Sequence, residues 1–309
     1  MDGSAVAAIP DPVAKLSAPT RSRHAGEVSG SVTTPDSHEG RSIARPSWNR
    51  LLAAALVVVS AIALFGLQER PIGYALIVAG LVVAAVVDRL LLRHLILIAA
   101  GLVVISTMSL EADLSNAAMV RFAITLSAAV ALPYALSRWW YRENIITFPV
   151  GTGNRWSRFE FGYLALVVVG GYLILPVYFL GSGAYRNWPD ITGANEIIRL
   201  FIGVNAVGLW DELFFICIVF ALLRHHFPFW QANLLQSVVF VSFLWELGYR
   251  GWGPLLTVPF ALLQGYIFQR TRSLPYVVTV HLTFDAIIFG ILVHAYNPAL
   301  ADVFVTDPR

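Results

Sequence analysis

Residues 205–216 read NAVGLWDELFFI, with Asp211 and Glu212 side by side inside an apolar run that extends over residues 201–223. A helix of about 20 apolar residues crosses the hydrocarbon core of a bilayer. One carboxylate at the centre of such a helix costs at least about 2.5 to 3.5 kcal/mol on insertion scales. Two neighbouring carboxylates cost more unless partners or water compensate them. The stretch therefore reads as a membrane-crossing helix with a polar task, and the other runs are read for what they bring to the pair.

The composition supports a membrane setting. The chain has 309 residues, 57% hydrophobic and 13% charged, against about 25% charged in soluble domains. With several long apolar runs, this makes an all-α, polytopic transmembrane bundle. Lys15 is the only lysine, and the net charge of +2 comes from arginines that flank apolar runs. That placement follows the topology rule for membrane helices and gives no reason to expect a nucleic-acid partner. Cys217 is the only cysteine, which excludes an intrachain disulfide and a cysteine metal cluster. It reads as a packed side chain.

Residues 1–46 are rich in Ser, Pro, Gly, Ala, Thr and charge without periodicity, the signature of a disordered tail. The first apolar run begins only at Leu51 and reads as a retained span, not a cleaved leader. Nine runs follow, at residues 51–67, 72–87, 94–110, 117–136, 161–180, 198–223, 231–247, 253–268 and 274–295. The second is the shortest, so the expectation is eight to nine spans. Arg41, Arg45 and Arg50 precede the first run; Arg89 and Arg93 follow the second; Arg138, Arg142, Arg155 and Arg158 follow the fourth; Arg224 follows the sixth, and Arg270 and Arg272 the eighth. Every second loop is basic, which places the N-terminus in the cytoplasm of a multi-pass protein of the plasma membrane. The aromatic segment around Trp139, Trp140, Tyr141 and Trp156 separates N-terminal helices (47–160) from a C-terminal helical core (161–296), with a short tail at 297–309. No internal repeat is visible, which argues against an inverted-repeat transporter.

Polar residues within the runs concentrate after residue 200. Asn205 lies about 10 Å from Glu212 along one helix face. Glu246 ends the seventh run, and His281 and Asp285 stand four residues apart in the ninth, one above the other on a helix face. Glu212, His281 and Asp285 can meet near mid-membrane if the sixth and ninth runs pack together, whereas Glu246 sits nearer the outer surface. The competing accounts are plain: buried carboxyls that only join helices, and for Glu246 an interfacial pairing with Arg250. His225 and His226 read as interfacial, His294 and His94 as packing or surface residues, and Gln264 as a helix-helix hydrogen bond or a cavity residue.

Adjacent acids in one span, a polar residue closing the next, a spacer span and then HxxxD resemble the CPBP family of intramembrane proteases. This is the family of type II CAAX prenyl proteases and bacteriocin-processing (Abi) proteins, related to the Ras-converting enzyme. The family pattern is EExxxR, FxxxH and HxxxN/D. Here the first motif reads DELFFI, with Ile216 in the place of Arg. The second reads SFLWE, with Ser242 in the place of Phe and Glu246 in the place of His. The third is intact from His281 to Asp285. The resemblance spans residues 198–295.

The resemblance implies hydrolysis of a peptide bond in a membrane-embedded or membrane-anchored protein or peptide within the bilayer. Glu212 would activate water, Asp211 would assist it, His281 would polarise the carbonyl and Asp285 would orient His281, with Glu246 in the second-motif position. A divalent metal such as zinc is one option, with His281, Glu246 and Asp285 as candidate ligands, and no metal is the other. One His with carboxylates is an unusual zinc set. Two further readings stay open: an inactive family member acting as a binding or immunity-type membrane protein, and a proton-coupled transporter using the same acids.

Overall fold

Apolar runs become helices where local caps start and stop them. The computed structural model describes residues 48–151, 155–300 and 303–308, and the tail expected at 1–46 lies outside them. Among the described residues there are nine long helices: α1 (Trp48–Gly66), α2 (Arg70–Val87), α3 (Arg89–Ile105), α4 (Asn116–Trp140), α5 (Arg158–Phe179), α6 (Ala194–His226), α7 (Phe229–Leu247), α8 (Pro254–Thr271) and α9 (Leu274–Tyr296). Asp88 caps α3 by accepting from the backbone N–H of Leu90 and Leu91, and Ser115 and Ser273 cap α4 and α9 in the same way. Ser157 and Glu160 form a reciprocal capping box at the start of α5. Prolines stand in the first turns of α2, α8 and α9, where their missing N–H costs nothing.

Contacts between helix ends show that successive helices alternate in direction. At one end of the bundle Arg50 pairs with Asp88 at 2.9 Å, His94 Nδ1 meets His226 Nε2 at 2.7 Å, and the N–H of Leu274 donates to Pro149 O at 3.1 Å. At the other end Arg250 pairs with Glu111 at 3.0 Å, Arg199 donates to Leu114 O at 2.9 Å, and the Tyr178 hydroxyl donates to Arg250 O at 2.7 Å. The arginine-rich loops gather at the first end. The chain is an integral, multi-pass membrane protein.

Six of the nine helices are long and apolar enough to cross a membrane by length and composition, so the expected eight to nine spans exceed this number. The helices that fall short are α3, α7 and α8. Helix α3 runs from Arg89 to Ile105, not over 94–110, and residues 106–115 form a loop. Helix α7 buries Asn233, Gln236, Ser237, Ser242 and Glu246 against its neighbours, which lowers its mean hydropathy without exposing polar groups to lipid. His94 and His226 are 2% and 8% exposed and hydrogen-bonded to each other, so they pack between helices at the arginine-rich end of the bundle. Cys217 is fully buried, as expected.

Asp88 lies between α2 and α3, outside the spanning segments. Burial pushes its carboxyl up, but the N–H groups of Leu91 and Leu90 and the nearby Arg50 outweigh this and hold it below its ordinary value of 3.8. A depressed carboxyl stabilises the fold above its unfolded value, and that gain fades as the pH falls through the lower folded value. Asp88→Ala is expected to cost about 1 kcal/mol at neutral pH. The difference from wild type should narrow on acidification below 3.8, as read by thermal unfolding in detergent across a pH series.

Candidate active site

Helix α6 changes its winding at the acid pair. From Ala194 to Asp211 it is α-helical, and from Glu212 to Phe220 it is π-helical before returning to α-helix. Such wide turns inside helices recur at functional sites because they re-aim side chains that a regular helix would place elsewhere. Here the wide turn is held by aromatic packing. Trp210 stacks on Phe214 with ring centroids 5.2 Å apart and donates its indole N–H to Leu126 O on α4 at 2.7 Å. Phe215 meets Phe240 and Phe243 of α7 edge-on. Gly101 of α3 accommodates Phe214, since a Cβ there would overlap its ring.

Asp211 and Glu212 are each 1% exposed, and His281 and Asp285 of α9 are each 5% exposed. His281 lies between the two acids, with Nδ1 2.6 Å from Glu212 Oε1 and Nε2 3.5 Å from Asp211 Oδ2. Both ring nitrogens face carboxylate oxygens, which suits the doubly protonated ring. Gln264 of α8 adds a second donor to Glu212: its Nε2 lies 2.7 Å from Oε1 and 3.2 Å from Val277 O. Glu212 Oε1 therefore has two donors. Glu212 Oε2, Asp211 Oδ1 and Asp285 Oδ2 are buried acceptors with no protein partner. A buried acceptor left unsatisfied calls for an unseen partner such as an ordered water. Asp211 and Asp285 line the grooves described below, with Glu212 packed behind them. Gly208 permits the approach of α6 to α9, because a Cβ at this position would overlap Asp285 Oδ2.

Two apolar grooves reach this group. One, of about 340 Å³, lies between α4 and α6; the other, of about 450 Å³, lies between α5 and α8. His281, Asp285, Leu244 and Tyr249 line both. The polar group is thus the meeting point of two openings in the bundle.

The structure brings Glu212 and His281 together, with Asp211 beside them and Asp285 one turn along α9. Glu246 is placed elsewhere. It is 5% exposed, and its Oε1 accepts from the N–H of Leu110 at 3.0 Å and from Gln68 at 3.4 Å, tying α7 to the loops after α1 and α3. Asn205 does not join either, since its amide donates back to Phe201 O at 2.7 Å. His294 is buried at 2% and packs edge-on against Phe304. Tyr249 is a residue the motif order does not point to. It lies just beyond α7, with its ring among Tyr178, Phe179 and Trp188. Burial pushes its phenol well above the ordinary 10.0, and the carboxylates of Asp285 and Asp211 push it the same way. Tyr249 therefore keeps its proton and remains a donor beside the group.

Residues 193–287 match the family described as type II CAAX prenyl endopeptidase, Rce1-like. No curated protein and no solved structure gives a significant match. The matched segment runs from the start of α6 into α9 and contains Asp211, Glu212, Glu246, Tyr249, Gln264, His281 and Asp285. The position of the family's Arg in the first motif is Ile216, which is 2% exposed in the π-helical turn. Gln264 supplies Glu212 with a neutral donor from another helix.

The candidate metal ligands do not fit a metal site. Glu246 faces Gln68 and Leu110, and both ring nitrogens of His281 face carboxylates. Among the described residues no three His, Cys, Asp or Glu side chains are grouped to hold a metal ion.

Gly208→Val is expected to drive α9 away from α6 and to lower stability by about 1–3 kcal/mol through overpacking. Gly203, five residues earlier on α6, has open space where a Cβ would stand. Gly203→Ala should leave the unfolding midpoint unchanged or raised. Thermal unfolding of the two variants beside wild type checks the contrast.

Proposed function

We propose that the protein is an intramembrane endopeptidase of the CAAX type. It hydrolyses a peptide bond in a membrane-embedded or membrane-anchored protein or peptide. The observation that carries this reading is the state of Glu212: Oε1 is held by His281 and Gln264, while Oε2 is a buried acceptor without a protein partner. A carboxylate held in this way can take a proton from water at Oε2 without reorienting.

In this reading the water oxygen attacks the scissile carbonyl carbon, its proton passes to Glu212 Oε2, and the carbonyl electrons move onto oxygen. Collapse of the tetrahedral species breaks the C–N bond, and Glu212 returns the proton to the leaving nitrogen. His281 holds Glu212 and presents positive charge to the developing oxyanion. Asp211 and Asp285 fix the His281 ring, and Asp211 Oδ1 helps to seat the water. The Tyr249 hydroxyl donates a hydrogen bond to the oxyanion. No step passes through a metal ion. The groove between α4 and α6 admits apolar polypeptide from within the bilayer. The arginine-rich end of the bundle faces the cytoplasm, and the protein resides in the plasma membrane.

A second reading is an inactive family member that binds a membrane partner. The departures at Ile216 and Glu246 favour it. The two readings separate on one experiment, a comparison of membrane-protein N- and C-termini between cells with wild type and cells with Glu212→Gln. A processed terminus missing in Glu212→Gln supports the peptidase and names its substrate; identical termini overturn it and support the binding role. On the substrate so found, Tyr249→Phe should lower kcat about 10²- to 10³-fold with KM little changed, the effect of losing one oxyanion donor.

A further inference from the structure

Above the groove between α5 and α8, at the arginine-rich end of the bundle, lies a polar pocket of about 460 Å³. Arg155 and Arg270 line it with Trp156, Ser157, Phe159 and Glu160. Among the described residues neither arginine has a carboxylate within ion-pair distance. Arg270 instead stacks over the Phe159 ring at 4.3 Å. The Glu160 carboxylate is held by the backbone N–H of Ser157 at 2.6 Å as part of the α5 cap. The pocket is thus lined by two guanidinium groups, with its one carboxylate engaged in the helix cap, and guanidinium is the side-chain group that suits phosphate.

The pocket continues into an apolar track. The Phe159 ring stacks on Tyr163, one turn further along α5, with centroids 6.5 Å apart. Tyr163 lines the groove between α5 and α8, followed by Leu166 and Gly170 on one wall and Leu263 and Pro259 on the other. Leu166 is 65% exposed and Leu263 is 44% exposed, although both are large apolar side chains. A polar pocket lined by two arginines therefore caps an apolar groove that runs into the membrane-crossing part of the bundle and ends at His281 and Asp285. A molecule with a phosphate head and a hydrocarbon tail matches both parts, and a free phosphate matches only the first. Trp156 and Phe159 stand at the level where aromatic residues meet lipid headgroups.

We propose that an anionic phospholipid binds between α5 and α8, with its headgroup phosphate on Arg155 and Arg270 and one acyl chain in the groove below. This lipid closes one of the two openings to the polar group and leaves the other, between α4 and α6, for a polypeptide. The lipid site stands whether or not the protein cleaves a peptide bond.

Native mass spectrometry of the full chain, released from membranes holding equal amounts of phosphatidylglycerol and phosphatidylcholine with identical chains, tests the site. One phosphatidylglycerol should be retained per chain in preference to phosphatidylcholine. Arg155→Ala with Arg270→Ala should lower that retention about thirtyfold, at the strength typical of two basic residues beside anionic lipid. Gly170→Phe fills the groove without touching the headgroup pocket, and space around Gly170 is open, so the fold should hold while retention falls. Millimolar inorganic phosphate should leave the lipid in place. Equal retention of the two lipids, retention unchanged in the arginine variant, retention unchanged in Gly170→Phe, or displacement by inorganic phosphate would each overturn the proposal.

Discussion

The hydrogen bond from His281 to Glu212 Oε1, at 2.6 Å, is the contact on which the rest of the bundle depends. A carboxylate taken out of water in an apolar bundle needs partners, because an unpaired buried charge is far more costly than any packing gain. That requirement brings α9 against α6 and α8 against both, with Gln264 as the second donor. Gly208 and the π-helical turn at Glu212–Phe220 follow from it. One removes a side chain where Asp285 must sit, and the other aims Glu212 while Phe214 and Phe215 lock the turn in place.

The same rule governs polar residues away from the group. Glu246 is satisfied by Leu110 and Gln68 at the far end of the bundle, and His94 by His226 and Glu143 at the arginine-rich end. These contacts tie helix ends together and account for polar residues in helices too hydrophilic to face lipid. By contrast Asp211, Glu212 and Asp285 each keep an oxygen that no protein donor satisfies, and both grooves lead to this place. Neutral acceptors are also left unsatisfied at Gln231, Gln236 and Thr257, so it is the charge of these carboxyls, together with the grooves, that sets the group apart from the structural residues.

Much of the fold is legible in the sequence because a bilayer enforces it. Backbone groups in hydrocarbon must bond within their own helix, so apolar runs of sufficient length declare helices. Alternating arginine loops declare their direction. The boundaries of α3 are less legible, since Asp88 caps a helix that starts ahead of the apolar run and leaves Leu110 in a loop. In the candidate site, His281 and Asp285 are paired by their spacing on one helix, and Glu212 is marked by its burial cost. Tyr249 is not marked at all, because a tyrosine near a helix end is an ordinary interfacial residue until its neighbours are known.

The sequence by itself determined the membrane setting, the nine helical runs and the four polar residues that meet, because these depend on periodicity, length and the cost of charge in hydrocarbon. Only the tertiary structure decided that Glu246 belongs to the far end of the bundle, that Gln264 holds Glu212, and that two grooves reach His281 and Asp285. Those outcomes depend on how far each helix is rotated and displaced against its neighbours. The rotation is set by which donors and acceptors find each other across helices, a property of pairs far apart in the chain that no local pattern contains.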